Sequence, residues 1–149
     1  MPGARGIAVE PIPATFDWLK SNLAANSAAR YVQTLCAAVS GVSGSVTLGY
    51  SRRDSSKSSV FRSDESCEVV APTVTLSALA SQLGERIDLI KIDIEGAEYD
   101  LLQDLGSVLS DHEVHQLIIE YHPVKNIDPR QFIESITKFR MELNLKHFF

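Results

Sequence analysis

The stretch IDLIKIDIEGAEYDLL, residues 87–102, decides the fold of this chain. Its first part, IDLIKID, is almost wholly apolar, which is typical of a parallel strand covered on both faces. Gly96 breaks this pattern, and a helix is predicted to follow because apolar residues recur there at helical spacing. These residues are Leu101, Leu102, Leu105, Val108 and Leu109. A buried strand that leads through a turn into an amphipathic helix is part of a βαβ unit.

The alternation of strands and helices extends to both sides. Apolar runs predict strands at residues 6–10, 31–39, 46–50, 68–74 and 116–121, and residues 143–149 resemble the start of another. Pro13 opens a predicted helix, Thr75 caps a second, and Asp128 and Pro129 begin the last. The apolar faces of these helices hold Phe16, Leu19 and Leu23, then Leu76, Leu79 and Leu83, then Phe132, Ile133, Ile136, Phe139 and Leu143. We predict an open, doubly wound, Rossmann-like α/β fold with a mostly parallel sheet and helices on both faces.

Length and composition limit the class of protein. The 149 residues, 44% hydrophobic, predict a single domain over residues 1–149 with a real core. No run approaches the ~18 apolar residues of a membrane span, and no signal peptide is visible. With two cysteines, Cys36 and Cys67, the chain fits a reducing compartment. We therefore predict a cytoplasmic protein without a membrane partner.

Charge is unevenly distributed along the chain. Residues 85–120 hold ten acidic and two basic residues, whereas the whole chain carries −5. This acidity disfavours nucleic-acid binding, and its simplest interpretation is solvated helix surface. Residues 51–66 contain seven serines and seven charged residues, which predicts a mobile loop.

Acidic residues stand where three predicted strands end. Glu10 closes the first strand, Asp93 closes IDLIKID, and Glu120 lies near the end of QLIIEY with His122 two residues on. The carboxyl ends of parallel strands meet at one edge, where ligands bind in such sheets. Burying a carboxylate is costly unless it is paired. Acidic residues at three strand ends therefore indicate a ligand-binding site. A Glu between a strand and a helix also suits the two hydroxyls of a ribose.

Each of these residues also has a structural interpretation. Glu10 could be a surface acid near a helix, and Asp93 could accept backbone N–H groups in the turn through Gly96. Lys91 is expected to pair or to extend its amine to solvent, and Cys36 to pack in the core. The other histidines are expected to be surface or hydrogen-bonded residues: His112, His115 and His147.

The quoted stretch, preceded by PTVTLSAL at residues 72–79, closely resembles the signature of FkbM-type S-adenosylmethionine-dependent methyltransferases. GIAVEPIPATFDWLKSNLAAN at residues 6–26 is similar to the second-strand region of that family. AAVSGVSGSVTL (37–48) and IIEYHP (118–123) match in order and spacing. The resemblance covers residues from about 6 to 139, and its most specific part is KIDIEGAE at 91–98.

The resemblance implies S-adenosylmethionine as cofactor. Glu10 would hold the ribose hydroxyls, and Ala38 with its neighbours would lie against the adenine. Asp93 would lie near the methionine moiety and the transferred methyl group. The acceptor side would be lined by Glu95, Glu98, Glu120 and His122.

The resemblance also implies the reaction, O-methylation of a hydroxyl on a sugar, a polyketide or another small molecule. An acceptor oxygen would attack the sulfonium methyl in line, with positioning supplying much of the rate. His122 or Asp93 is our candidate for the base that takes the hydroxyl proton.

The chain departs from the family pattern at its beginning. The family fold starts with a strand and a glycine-rich turn, whereas only MPGAR precedes the strand at residues 6–10. The absent strand would lie in mid-sheet, between the strands that end at Glu10 and Asp93. We therefore expect a partial domain, incomplete also at its C-terminal end, that binds cofactor weakly. There are two alternatives. The strands that end at Glu10 and Asp93 pair directly with each other, or another chain fills the gap through self-association at an unpaired sheet edge.

Two further hypotheses stay open. The chain could be a non-catalytic, truncated domain that acts as an interaction scaffold. A divalent-metal site built from Asp93, Glu95 and Glu120 is the weaker idea, because clustered acids without a second-shell pattern are common. No metal ligand is assigned from the sequence.

Overall fold

The computed structural model of the chain describes residues 4–50, 67–123 and 128–137. Within these ranges, strands and helices form a mixed α/β arrangement. The elements are β1 (Gly6–Val9), α1 (Pro13–Ala25), β2 (Val32–Leu35), β3 (Ala38–Val39), β4 (Gly44–Tyr50), β5 (Cys67–Val74), α2 (Leu76–Leu83), β6 (Arg86–Ile87), β7 (Ile90–Ile92), α3 (Leu102–Asp111), β8 (Glu113–Val114), β9 (Leu117–Ile119) and α4 (Pro129–Thr137). The predictions for the loop at 51–66, for Phe139, Leu143 and His147, and for a strand at 143–149 lie outside the described residues.

The described strands form four small sheets. Parallel pairs join β1 to β2, β6 to β8, and β7 to β9. In the fourth sheet β5 is central, parallel to β3 and antiparallel to β4. Parallel pairing across intervening helices is what βαβ units require. Within the described part of the chain β1 and β7 belong to different sheets, so the alternative in which they pair directly is wrong.

Two predicted strands are each divided in the structure. Residues 31–39 give β2 and β3, which pair with different strands, β1 and β5. Residues 87–93 give β6 and β7, and the residues between them, Asp88 and Leu89, are exposed. In β7 the side chains of Ile90 and Ile92 are buried but Lys91 is exposed, so this strand is covered on one face rather than both. The alternation of apolar and charged residues in β7 is the reason that only one face of this strand is buried.

The main core lies between α2, α3 and the strands beside them. Leu101, Leu105 and Val108 are each 1% exposed, which confirms the predicted apolar face of α3. They pack with buried residues of α2, β6 and β7: Leu76, Ala80, Ile87, Ile90 and Ile92. At the start of α2 the Thr75 hydroxyl accepts the amide of Ala78 at 3.2 Å, as predicted for an N-cap.

A second, smaller core surrounds Ile12, the residue before α1. Ile12 is 2% exposed and packs with Ala38, Leu48 and Ala71. Pro13 opens α1 as predicted. However, α1 has no buried residue, since its predicted apolar face is only half-buried and Trp18 is 73% exposed. The chain is therefore anchored here by the residue before the helix rather than by the helix.

Aromatic rings attach α4 to the rest of the molecule. The ring of Phe132 lies 5.4 Å from that of Tyr99 and 5.0 Å from that of Tyr121, between centroids. The Tyr99 hydroxyl donates to the carbonyl of Asp128 at 2.8 Å. Asp128 also accepts the amide of Arg130 at 2.9 Å, which confirms it as the predicted cap. Within the described ranges, no helix combines the length and the apolar character that crossing a membrane requires.

Candidate active site

Two neighbouring strands bring three functional side chains together. β7 and β9 run parallel with Ile92 opposite Ile119, so Asp93 and Glu120 follow them at the same edge. The amide of Glu120 donates to the carbonyl of Ile92 at 2.9 Å, which continues the ladder past the strand ends. One side-chain nitrogen or oxygen atom each from Asp93, Glu120 and His122 lies within 4.8 Å of the others. These three residues, with Glu95 and Glu98, are called the acid–histidine cluster below.

The turn after β7 is organised by Glu98. Gly96 has a φ of +104° and Glu95 one of +52°, a left-handed conformation uncommon for a residue other than glycine. Oε1 of Glu98 accepts the amides of Ile94 at 3.4 Å and Gly96 at 3.2 Å. These amides therefore bind Glu98 and not Asp93, so the turn-capping interpretation of Asp93 is wrong.

Glu98 also holds His122. Oε1 of Glu98 lies 2.9 Å from Nδ1 of His122. Because this oxygen already accepts two backbone amides, we assign the proton of this bond to Nδ1, and the lone pair of the neutral ring then lies on Nε2. Nε2 lies 3.7 Å from an oxygen of Glu95 and 4.0 Å from one of Glu120. Glu98 thus selects the tautomer in which the nitrogen on the cluster side can accept a proton or bind a cation.

The pKa of His122 is raised above its ordinary value. Burial is the largest single influence and lowers the pKa, but the hydrogen bond to Glu98 and the charges of Glu98, Glu95 and Asp93 outweigh it. The cluster thus stabilises the imidazolium form more than water stabilises it in a free histidine.

The outer side of the cluster is open to solvent. Asp93 and Glu120 are exposed, whereas His122 is half-buried and Glu98 is 2% exposed. Nζ of Lys91 lies 2.9 Å from an oxygen of Asp93, so this lysine pairs, as one of its two interpretations predicts. An exposed pair of this kind is worth about 0.2–1 kcal/mol, so it leaves Asp93 available to a ligand.

Glu10 lies at the end of β1, in another sheet. Its Oε1 accepts the amide of Ile12 at 2.8 Å, and the side chain is half-buried rather than a simple surface acid. Burial raises the pKa of Glu10, and the hydrogen bond from Ile12 opposes this change. No hydrogen bond or ion pair of the described residues joins Glu10 to Asp93, Glu120 or His122.

Ala38 and Glu98 are both buried. Ala38 is 8% exposed and packs in the second core. The side chain of Glu98 is 1% exposed, and its Oε1 lies 2.9 Å from Nδ1 of His122. Sequence reasoning named Glu98 as a residue of the acceptor side and missed its role in the turn, although a Glu two residues after a turn glycine is well placed to accept the amides of that turn.

The remaining candidates have structural partners. Nδ1 of His112 lies 2.8 Å from the carbonyl of Gly84, and Nε2 of His115 lies 3.1 Å from a carboxylate oxygen of Glu113. Both histidines are hydrogen-bonded, as predicted. Cys36 is half-buried, with its thiol 3.9 Å from the carbonyl of Pro11.

The sequence matches the family model of the methyltransferase FkbM domain over residues 1–146. This range includes every element described above and the whole acid–histidine cluster. No curated protein and no solved structure shows a significant match to the chain.

Proposed function

Because this chain belongs to the FkbM methyltransferase family, we propose that it moves a methyl group from S-adenosylmethionine to a hydroxyl oxygen of a small molecule. The observation that carries this proposal is the pair formed by His122 and Glu98 at the carboxyl ends of β7 and β9. In this pair Glu98 orients His122, which is a candidate base at the edge where ligands bind in parallel α/β sheets.

We also propose that the four small sheets are parts of one open, Rossmann-like sheet. The parallel pairing of β1 with β2, and of β7 with β9, supports this, as do the helices between them. In such a sheet Glu10 and Asp93 would lie on the same edge, on either side of the cofactor crevice.

Glu10 has the properties required for the ribose hydroxyls. Only its Oε1 is engaged by the described residues, through the amide of Ile12, and this bond fixes the carboxylate at the start of α1. The other oxygen can accept a hydrogen bond from a ribose hydroxyl. Asp93 would hold the methionine end of the cofactor, and the backbone near Ala38 would hold the adenine. When bound, S-adenosylmethionine supplies an electrophilic methyl group.

His122 is our candidate for the base. Its Nε2 would take the proton of an acceptor hydroxyl whose oxygen attacks the methyl group that the cofactor would supply, with the sulfonium sulfur as the leaving group. Glu98 stabilises the imidazolium that forms. Glu95 and Glu120, beside Nε2, can orient the other hydroxyls of the acceptor. We propose a small, uncharged polyhydroxyl molecule as the partner, since this acidic edge repels nucleic acid and other polyanions.

Cofactor binding is tested by saturation-transfer NMR, which detects weak binding. We expect transfer from the protein to the ribose and adenine protons of S-adenosylmethionine. Glu10→Ala should weaken binding at least about tenfold, the effect of losing ~1.4 kcal/mol of hydrogen bonding. The exposed Glu113→Ala is the control. If the wild-type chain shows no transfer, or if both variants bind as it does, the cofactor assignment fails and the non-catalytic scaffold becomes the better hypothesis.

Transfer itself is followed with methyl-labelled cofactor and a panel of sugars and polyols. We expect labelled product with the wild-type chain and a loss of about 10²-fold or more with His122→Gln, the usual effect of removing a general base. His115→Gln, in the exposed pair with Glu113, should leave the rate unchanged. Equal rates for all three proteins would remove His122 from the mechanism.

A further inference from the structure

We propose that the carboxyl ends of β7 and β9 form a divalent-cation site whose ligands are Asp93, Glu120 and His122. This inference goes beyond methyl transfer and does not require it. The weaker sequence hypothesis placed a metal on Asp93, Glu95 and Glu120. In the structure His122, and not Glu95, lies with Asp93 and Glu120, and Glu98 bonds to the ring of this histidine.

The geometry of the three ligands suits one ion. Their ligand atoms lie within 4.8 Å of one another. An octahedral ion with bonds of about 2.1 Å holds adjacent ligands about 3 Å apart and opposite ones about 4.2 Å apart. Asp93 and Glu120 are both exposed, so their side chains have room to rotate toward an ion.

His122 is prepared as a ligand by Glu98. A metal-bound histidine almost always donates its other ring N–H to a carboxylate, a carbonyl or a water, which fixes the tautomer and raises ligand basicity. Here Nδ1 of His122 donates to Oε1 of Glu98 at 2.9 Å, so Nε2 is the nitrogen left on the side of Glu120. The bond between His122 and Glu98 is an observation separate from the distances among the three ligand atoms.

The buried oxygen of Glu98 points to the same conclusion. The side chain of Glu98 is 1% exposed, and its Oε2 has no hydrogen-bond partner among the described residues. A buried carboxylate with an unsatisfied oxygen is costly unless positive charge compensates it. A cation on Nε2 polarises the imidazole ring and strengthens its bond to Glu98, which places that charge one ring away.

The charges around the cluster leave room for a cation. In the described part of the chain, the ion pairs of Asp93, Glu98 and Glu120 involve one lysine, Lys91 on Asp93, and otherwise only His122. Three carboxylates are thus balanced by one ammonium group and one titratable ring. A divalent ion would complete the balance without burying a further protein charge.

The donor set indicates the kind of ion. Two carboxylates and one imidazole favour a first-row ion such as Mn²⁺ over Ca²⁺, which prefers oxygen ligands alone. The open side of the site can take water or two neighbouring hydroxyls of a ligand. The lone pair of Nε2 can hold either the ion or a proton, so the ion-bound form of His122 and the form that acts as a base exclude each other.

The site is tested with Mn²⁺ alone, using the full chain without cofactor or acceptor. Electron paramagnetic resonance measures free Mn²⁺ during a titration, and we expect one saturable ion per chain. Asp93→Asn, Glu120→Gln and His122→Gln should each weaken binding at least about tenfold. Glu98→Gln should weaken it about 10–100-fold, the usual effect of removing a second-shell partner. The matched controls are Glu113→Gln and His115→Gln, because these two residues form the same kind of pair, 3.1 Å apart, elsewhere on the surface.

A measurement on the wild-type protein keeps the test valid if a variant fails to fold. Electron spin-echo modulation should show one imidazole nitrogen coupled to the bound Mn²⁺. Absence of saturable binding, absence of nitrogen coupling, or equal weakening by the two control variants would each overturn the proposal. Failure here would leave the cofactor test at Glu10 unaffected, and failure of that test would leave the Mn²⁺ result unaffected.

Discussion

Nδ1 of His122 donates to Oε1 of Glu98 at 2.9 Å, and the same carboxylate oxygen accepts two backbone amides of the turn after β7. One buried side chain therefore holds both the turn that presents Asp93 and the histidine that faces it. The shape of the turn and the tautomer of the histidine are coupled through this single oxygen, so a change at Glu98 affects both.

Glu98→Ala should destabilise the fold. It leaves the amides of Ile94 and Gly96 and Nδ1 of His122 without their acceptor, and one unsatisfied buried group costs about 1–3 kcal/mol. We expect a loss of that size in the free energy of unfolding, measured with urea and circular dichroism. Glu113→Ala, at an exposed position, should change it by less than about 0.5 kcal/mol. Equal stabilities of the two variants would contradict this account of the turn.

Stability near Glu10 should depend on pH. Burial raises the pKa of Glu10 above its ordinary value of 4.5, so the folded state binds this proton more tightly than the unfolded chain does. The contribution of Glu10 to the free energy of unfolding is therefore greatest below about pH 4.5 and is lost as the pH rises through the folded pKa.

Glu10→Gln removes this titration but keeps an oxygen for the amide of Ile12. Urea denaturation between about pH 4 and pH 7 should show the wild-type chain losing stability relative to this variant as the pH rises. A constant difference, or one that grows in favour of the wild-type chain, would show that the folded pKa is not raised.

Gly41→Ala should strain the contact between the turn after β3 and the turn after β7. A Cβ atom at Gly41 would lie 2.5 Å from the backbone carbonyl oxygen of Asp100, closer than the two atoms can approach. Overpacking of this kind costs about 1–3 kcal/mol, to be measured by urea denaturation. Gly6→Ala is the matched control, because its Cβ would meet only Val32 Cγ2, at 3.8 Å. A Gly41→Ala protein as stable as the control would show that the turns separate at little cost.

Asp104→Ala should weaken the start of α2. The carboxylate of Asp104, on α3, accepts the amides of Leu76 at 2.6 Å and Ser77 at 3.2 Å, and the Ser77 hydroxyl also donates to it. Losing a helix cap of this kind costs about 1–2 kcal/mol in the free energy of unfolding, measured by thermal or urea denaturation. Asp111→Ala, at the exposed end of α3, should change stability by less than about 0.5 kcal/mol. If both variants have the same effect, Asp104 does not act as a cap.

The order of strands and helices could be predicted because it follows from local patterns. The caps at Thr75 and Asp128 and the apolar face of α3 were predictable for this reason. The divisions of residues 31–39 and 87–93 were not, because a break between two short strands depends on which neighbour each part pairs with. An apolar run carries no information about that choice.

The residues of the site could be predicted, but the contacts between them could not. Strand ends identified Asp93, Glu120 and His122, since parallel strands bring their carboxyl ends to one edge. The burial of Glu98 and its contact with His122, 24 positions along the chain, depend on the three-dimensional path of the turn. The capping of α2 by Asp104 of α3 is non-local in the same way.

The exposed position of Trp18 on α1 has a practical consequence for spectroscopy. It is the single tryptophan of the chain, and 73% of it is already in contact with solvent. Its fluorescence emission in the folded protein should therefore be close to that of an indole in water, with little shift on denaturation. The same property makes it a clean local reporter, since a soluble quencher reaches it freely and anything that covers α1 would protect it.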